Sequence, residues 1–187
     1  MKKETKKHCA WAASSELMQT YHDTEWGVPK HDDIKIFEAL LLDSFQAGLS
    51  WATILNKREN FRKVFDNFDP KKIARYDATK KAALMADAGI IRNRLKIKAA
   101  TTNAKIFLEI QKEYGTFARY IWQFTNHKPI RGKWKTYLKI PASTKESDIM
   151  SKDLKRRGMS FVGTTMCYAF MQGIGMANDH ETRCFRY

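Results

Sequence analysis

The sequence predicts an all-α fold formed by a single helical domain spanning residues 1–187. Two observations support this prediction. Apolar residues recur at spacings of three and four along most of the chain, as on one face of a helix, and no convincing strand pattern is present. The length of 187 residues and the hydrophobic fraction of 43% are sufficient for one compact domain with a substantial apolar core.

The first half of the chain is predicted to form four helices. Residues 32–65 carry two stretches of helical periodicity, and the segment QAGLS separates them. Asp69 before Pro70 predicts the start of a short helix, because aspartate caps helix N-termini and proline is favoured at the first helical position. Asp77 predicts the start of another short helix, which we expect Gly89 to close.

The second half is predicted to be helical on both sides of one loop. A long amphipathic helix is predicted over residues 93–114, and Gly115 ends it. TFARYIWQF predicts a further helix, whereas residues 127–144 combine prolines, glycine and scattered basic residues, which is typical of a loop. Ser143 or Thr144 can cap the helix that follows this loop.

Residues 155–170, KRRGMSFVGTTMCYAF, predict a hairpin of two helices. The short turn between them contains Gly158 and Gly163. Backbone amides at the start of the second helix, together with the helix dipole, can bind a phosphate oxygen, and Thr164 and Thr165 would reinforce that contact. An ordinary packing corner with capping threonines would produce the same pattern.

The charge of the chain favours a polyanionic partner. Lysine and arginine number 34 against 20 acidic residues, a net charge of +14. Nucleic acid is the first candidate, because each neutralised phosphate releases condensed counterions. Lysines that merely solubilise helix surfaces are the plain alternative. Binding to a membrane surface ranks third, because the basic residues are not gathered on one amphipathic helix.

The location predicted from the sequence is the cytoplasm. No stretch approaches the ~20 consecutive apolar residues that a bilayer crossing requires, and MKKETKK leads into no apolar signal core. Three cysteines, Cys9, Cys167 and Cys184, are too few and odd in number for the disulfide framework of a secreted domain. A reducing compartment fits them better, and we expect Cys167 to be a small core residue.

Four potential metal ligands are divided between the two ends of the chain. Cys9 and His22 lie near the N-terminus, and His180 and Cys184 lie four residues apart near the C-terminus, a spacing that predicts one face of a helical turn. Two thiolates and two imidazoles form a closed tetrahedral zinc site of the structural kind, which would join the termini. The alternative is unrelated thiols and histidines, and spacing alone does not decide between the two.

The segment YHDTEWGVP, Tyr21–Pro29, gathers an imidazole, two carboxylates and two aromatic rings without a clear period. Tryptophan and tyrosine more often fill apolar cores than line binding pockets, so the segment alone does not establish a site. Four further segments belong with this one in the comparison that follows: FQAGLSWATILNKRENFRKVFDNFDP, DAGIIRNRLKI, KRRGMSFVGTTMCYAFMQ and NDH.

With these segments, the sequence resembles the bacterial 3-methyladenine DNA glycosylase I family, which belongs to the helix-hairpin-helix superfamily. The likeness extends from Cys9 to Cys184. It implies a helix-hairpin-helix fold with the hairpin near residues 150–175, a structural zinc ion, and removal of N3-methylated adenine from DNA in base-excision repair. The zinc ligands of the family fall on Cys9, His22, His180 and Cys184, the same residues that spacing suggested.

The resemblance also implies a base pocket. Its aromatic residues fall on Tyr21, Trp26 and Trp51, and its catalytic carboxylate falls on Asp43. The family commonly has glutamate at the position of Asp43, so the carboxylate here reaches about 1.5 Å less far. A further aromatic position of the family corresponds to Met18.

The DNA contacts implied by the resemblance lie on two turns. Gly48 and Leu49, in the turn AGL, correspond to the element that fills the gap left by the extruded nucleotide, and Gly163, Thr164 and Thr165 correspond to the phosphate-binding hairpin. The expected protein is a monomeric, monofunctional glycosylase acting on double-stranded DNA that contains alkylated bases. Two alternatives remain: a homologue that binds lesions without cutting, suggested by Asp43, and an unrelated zinc-stabilised interaction module.

Overall fold

The computed structural model describes residues 6–187 and is predominantly helical. Within these residues it contains nine α-helices, several 3₁₀ turns and two strands of two residues each. The helices are Glu16–Thr24 (α1), Asp33–Gln46 (α2), Trp51–Val64 (α3), Pro70–Ile73 (α4), Ala78–Ala86 (α5), Arg94–Tyr114 (α6), Phe117–Trp122 (α7), Lys145–Arg156 (α8) and Thr164–Gly173 (α9). The strands are Ile130–Arg131 (β1) and Ala177–Asn178 (β2), paired in parallel.

The predicted helix starts are confirmed by their capping hydrogen bonds. The Asp69 carboxylate accepts the backbone N–H of Lys71 at 2.8 Å, and Asp77 accepts that of Lys80 at 2.8 Å. Thr144, and not Ser143, begins α8 in a reciprocal capping arrangement with Ser147. Each cap satisfies a backbone donor that has no partner inside its helix.

Two local predictions are wrong. The helix after Asp77 ends at Ala86, before Gly89, and Asp87 terminates it. The segment containing His180 and Cys184 is not helical, so their spacing does not reflect a helical turn. The helical prediction is confirmed, and the parallel pair of β1 and β2 is a small addition to it. A strand of two residues is too short to produce a period in the sequence.

The helix α2 lies at the centre of the fold. Its residues are buried from Ile36 to Phe45 except at two positions, and it packs against α3, α6, α7 and α9. A second, smaller apolar cluster surrounds α1 and includes Tyr21, Trp26 and the two cysteines near the termini. The carboxylate of Asp43 therefore projects from a rigid, buried helix, as a precisely positioned functional group requires.

The hairpin between α8 and α9 is compact. Gly158 follows α8 with φ +97°, a backbone conformation that glycine adopts without strain, and Gly163 caps α9. Cys167 is buried in the core behind this hairpin, as its sequence context predicted. None of the helices in residues 6–187 combines the length and apolar composition that a bilayer crossing needs.

Candidate active site

A cavity of about 490 Å³ opens beside the central helix. All four residues of the predicted base pocket line this cavity, namely Tyr21, Trp26, Asp43 and Trp51. Met18 lines it as well. The walls come from α1 and the turn after it, from α2, and from the first residue of α3. Segments that are distant in the sequence thus converge on one hollow, which is within the size range of small-molecule sites.

The aromatic walls are held by ring contacts. Tyr21 and Trp51 have ring centroids 5.1 Å apart, and Trp11 meets Trp26 edge to face at 5.1 Å. The indole N–H of Trp51 is buried and has no hydrogen-bond partner within residues 6–187, so a polar group of a ligand could accept it. Trp11 was not predicted from the sequence, where its only signal is its position two residues after Cys9.

Asp43 is the buried carboxylate of this site, with 5% of its surface exposed. Burial raises the pKa of Asp43 to about 8, and the nearby Lys30 ammonium partly opposes the rise. A methyl group added to Gly173 would lie 3.7 Å from Asp43 Oδ2 and 3.6 Å from the Tyr21 hydroxyl, so both polar groups face the same point of α9.

Lys30 shares an adjoining cavity with Asp43. A second cavity, of about 440 Å³, shares Tyr21, Asp43 and Trp51 with the first and is lined by Lys30. The Lys30 ammonium donates to the carbonyl oxygens of Glu25, at 2.9 Å, and of Gly173. This contact joins residues 143 positions apart in the chain and could not be inferred from a sequence pattern.

Three of the predicted metal ligands converge beside the pocket. The Sγ atoms of Cys9 and Cys184 and a ring nitrogen of His22 lie within 4.8 Å of one another. His180 falls outside that group but lies next to it, with its ring centroid 4.8 Å from that of His22. The buried Nε2 of His180 has no hydrogen-bond partner in the described part of the chain, so it is free to bind an ion.

The surroundings of the cluster suit a metal with thiolate ligands. The backbone N–H of Glu181 donates to Cys9 Sγ at 3.2 Å, and that of Arg186 donates to Cys184 Sγ at 3.4 Å. His22 Nδ1 bonds to Asp23 at 2.7 Å, an outer-shell contact that orients Nε2 toward the cluster. With amide donors to both sulfurs and an oriented imidazole, this Cys/His/Cys cluster could hold a metal ion.

A third cavity, of about 550 Å³, brings the predicted DNA contacts together. Gly48 and Leu49 line it on one side, and Gly163 and Thr165 line it on the other. Thr164 is the exception, because its hydroxyl bonds to Ser147 at 3.0 Å and to Asp148. Gln46 and Ala169 line both this cavity and the pocket containing Asp43, so the two hollows adjoin.

The chain is similar to a group of known proteins over almost its full length. A family model described as methyladenine glycosylase matches residues 11–187. The chain is 47% identical over 179 residues to DNA-3-methyladenine glycosylase 1 of Escherichia coli K12, and the alignment covers 96% of each protein.

Solved structures give the same result. A crystal structure of 3-methyladenine DNA glycosylase I superposes with a TM-score of 0.93 at 45% identity, covering 96% of this chain and 98% of that one. A structure of the Staphylococcus aureus enzyme, described as the structural basis of 3-methyladenine recognition, superposes with a TM-score of 0.92 at 32% identity, covering 96% and 95%.

Proposed function

The chain belongs to the methyladenine glycosylase family, and on that premise we propose that it is a monofunctional DNA glycosylase that hydrolyses the N-glycosidic bond of 3-methyladenine in alkylated DNA. One observation carries the proposal: the three predicted aromatic side chains and one buried carboxylate line the same cavity. The Staphylococcus aureus relative recognises 3-methyladenine, the ligand that such a cavity suits.

The rings and the carboxylate select a cationic purine. An N3-methylated adenine in DNA carries positive charge, and aromatic faces attract a cation within ~6 Å by ~0.5 to 2 kcal/mol. Tyr21, Trp26 and Trp51 provide those faces. Asp43 accepts a hydrogen bond from the exocyclic amine of adenine and balances the charge of the base. The pocket therefore recognises adenine by this polar edge as well as by stacking on the aromatic rings. Because Asp43 is shorter than the glutamate common in the family, this hydrogen bond requires a shifted base or a bridging water.

The reaction needs little acid catalysis. The enzyme first takes the base out of the stack, which costs a few kcal/mol and is easier for a damaged base. The bond between the base and C1′ of the sugar then breaks, and its electron pair goes to the base, which leaves as a neutral molecule. A water oxygen bonds to C1′ and releases a proton to solvent. During this step the Asp43 carboxylate stabilises the positive charge that develops at C1′ of the sugar.

The DNA contacts come from the third cavity. Leu49, at the tip of the turn after α2, fills the gap in the duplex, and Gly48 permits that turn with φ +82°. Backbone amides at the start of α9, after Gly163, bind a phosphate in a helix-hairpin-helix arrangement, and Thr165 supports them. The net charge of +14 adds affinity for double-stranded DNA, on which the protein acts as a monomer.

Four side chains would hold a structural zinc ion that joins the two ends of the chain: Cys9, His22, His180 and Cys184. The arrangement of amide donors around both sulfurs and the unpartnered nitrogen of His180 support this assignment. With four protein ligands such an ion would have no open position for water, so it would contribute stability and no step of the reaction. The N–H of Phe185, which donates to the Lys7 carbonyl at 2.9 Å, reinforces the same junction.

The test is release of free base from DNA treated with a methylating agent. We expect the wild-type protein to release 3-methyladenine and leave an intact abasic strand. Trp51→Leu, which removes one aromatic wall, is expected to release it at least about tenfold more slowly. Leu138→Ala, a change at an exposed apolar side chain outside the three cavities, is the control. No released 3-methyladenine at stoichiometric enzyme would disprove the function.

A further inference from the structure

Helix α6 carries two buried polar side chains that the proposed chemistry does not use. Lys96 is 6% exposed and Asn103 is 4% exposed. They are seven residues apart, which is two helical turns, so both lie on one face of α6. Neither lines the pocket that contains Asp43. Burying an ammonium group is costly unless it is fully hydrogen-bonded, so the contacts of Lys96 require an explanation.

Lys96 binds the end of α2. Its ammonium donates to the carbonyl oxygen of Phe45 at 2.8 Å and to that of Ala47 at 2.7 Å. The last carbonyls of a helix have no partner within the helix, and a cation there also interacts favourably with the helix dipole. Gly48 and Leu49 follow at once, so Lys96 fixes the base of the turn that carries Leu49.

Asn103 binds the other turn. Its side-chain amide donates to the carbonyl of Ser160 at 2.9 Å and accepts the N–H of Ser160 at 2.9 Å. Both backbone groups of one residue in the hairpin turn are therefore satisfied by a single side chain. Phe161 follows in the left-handed region with φ +58°, and its ring lies 6.0 Å from the Lys96 ammonium. Lys96 thus contacts both turns.

We propose that Lys96 and Asn103 are positioning residues, which hold the turn of Leu49 and the hairpin of Gly163 at the separation that DNA binding requires. Residues of both turns line one cavity, so a duplex seated there would touch both at once. Leu49 can fill the gap of an extruded nucleotide only if the hairpin holds the neighbouring backbone in register. This inference rests on the proposed DNA contacts of the two turns.

The test compares Lys96→Met and Asn103→Leu with the wild type, and uses Lys98→Met as the matched control. Lys98 lies on the same helix but is exposed. The first readout is affinity for a duplex containing an abasic-site analogue, which does not depend on base release. The second is binding of free 3-methyladenine, followed by tryptophan fluorescence. We expect each variant to bind the duplex about tenfold more weakly, since each loses two buried hydrogen bonds, while its affinity for the free base stays unchanged.

Double variants with Leu49→Ala separate positioning from a general loss of stability. If Lys96 acts through the turn, adding Lys96→Met to Leu49→Ala should weaken duplex binding by clearly less than the two single effects combined. Lys96→Arg, which keeps a cationic donor, should recover most of the affinity. Additive effects, or equal loss of free-base and duplex affinity, would overturn the inference. A wild type that binds the duplex but releases no base would refute the proposed function and leave this inference intact.

Discussion

The imidazole of His180 packs edge-on against the indole of Trp26, with ring centroids 4.7 Å apart. The same indole lines the proposed base pocket and also faces the ring of His22 at 6.4 Å. The candidate metal cluster is therefore in contact with a wall of the pocket, although it contributes no group to the reaction. Any loosening of the cluster is expected to disturb Trp26 and so to weaken base binding.

Removal of one thiol tests this relationship. We expect Cys9→Ala to abolish bound zinc, to lower the melting temperature, and to weaken binding of 3-methyladenine, because the proposed ion would hold both chain ends and the rings packed on Trp26. Metal analysis and thermal unfolding measure the first two effects. Cys167→Ala is the control, because it also removes a buried thiol but lies outside the cluster. Equal zinc content in both variants would contradict a structural zinc site.

Gly27 is expected to control the position of His180. A methyl group on Gly27 would lie 2.9 Å from Cε1 and 3.1 Å from Nδ1 of His180, closer than such atoms approach. Gly27→Ala should therefore displace the imidazole and lower zinc content. Gly115 has a similar φ of +84° and nothing within 4 Å of an added methyl, so Gly115→Ala reports the backbone strain alone. If Gly27→Ala and Gly115→Ala both keep the full zinc content, the methyl group on Gly27 does not displace His180 from the metal site, and the prediction is wrong.

Local signals in the sequence account for most of the helices. Asp69, Asp77 and Thr144 cap the helices that they were predicted to begin, because a cap involves only neighbours along the chain. His180 and Cys184 were misassigned to a helical turn. Their segment is held by a long-range network instead, in which Asp179 accepts hydrogen bonds from three side chains. The donors are Trp134, at 2.7 Å, Tyr168, at 2.6 Å, and Gln172, at 2.8 Å.

In the candidate site, only the residues that belong to a recognisable sequence motif could be predicted. Tyr21, Trp26, Asp43 and Trp51 were identified from a family resemblance, and all four line one cavity. Lys30 carries no comparable signal, because its importance comes from the carbonyl of Gly173 and the carboxylate of Asp43, both distant in sequence. Periodicity and capping describe neighbours along the chain, whereas a pocket depends on which helices meet.

The proposed activity should depend on the protonation of Asp43. Burial raises the pKa of Asp43 to about 8. The ionised form accepts a stronger hydrogen bond from the amine than the protonated form does, and only the ionised form balances a cationic base. We expect kcat/KM to rise with pH and to level off above about pH 8, since kcat/KM reports groups of the free enzyme. The measurement is base release from alkylated duplex over about pH 5.5 to 9.5.

Two variants separate this dependence from other titrations. Asp43→Asn should lower the activity and remove the rise with pH. Lys30→Met should move the rise to higher pH, because the ammonium is the cation that favours the ionised form of Asp43. Glu25 and Arg58, two further charges that act on Lys30, are paired with each other at 2.8 Å and are left unchanged in both variants. If kcat/KM still rises with pH in Asp43→Asn, the rise belongs to the titration of another group.

The same carboxyl group should make the fold less stable as the pH rises. In the unfolded chain Asp43 loses its proton near its ordinary pKa of 3.8, whereas in the fold it keeps the proton up to about pH 8. Between these values the unfolded state binds fewer protons, so the free energy of unfolding falls as pH increases, and it stays at the lower level above pH 8.

Asp43→Asn removes this titration and preserves the shape of the side chain. Relative to the variant, the wild type should lose at least about 2 kcal/mol of unfolding free energy between about pH 4 and pH 8, since one pKa unit corresponds to about 1.4 kcal/mol. Lys30 keeps its bonds to the carbonyls of Glu25 and Gly173 in the variant, so its own burial adds little to the difference. Urea unfolding at closely spaced pH values measures both proteins. Parallel stability curves would mean that Asp43 is ionised in the fold at neutral pH.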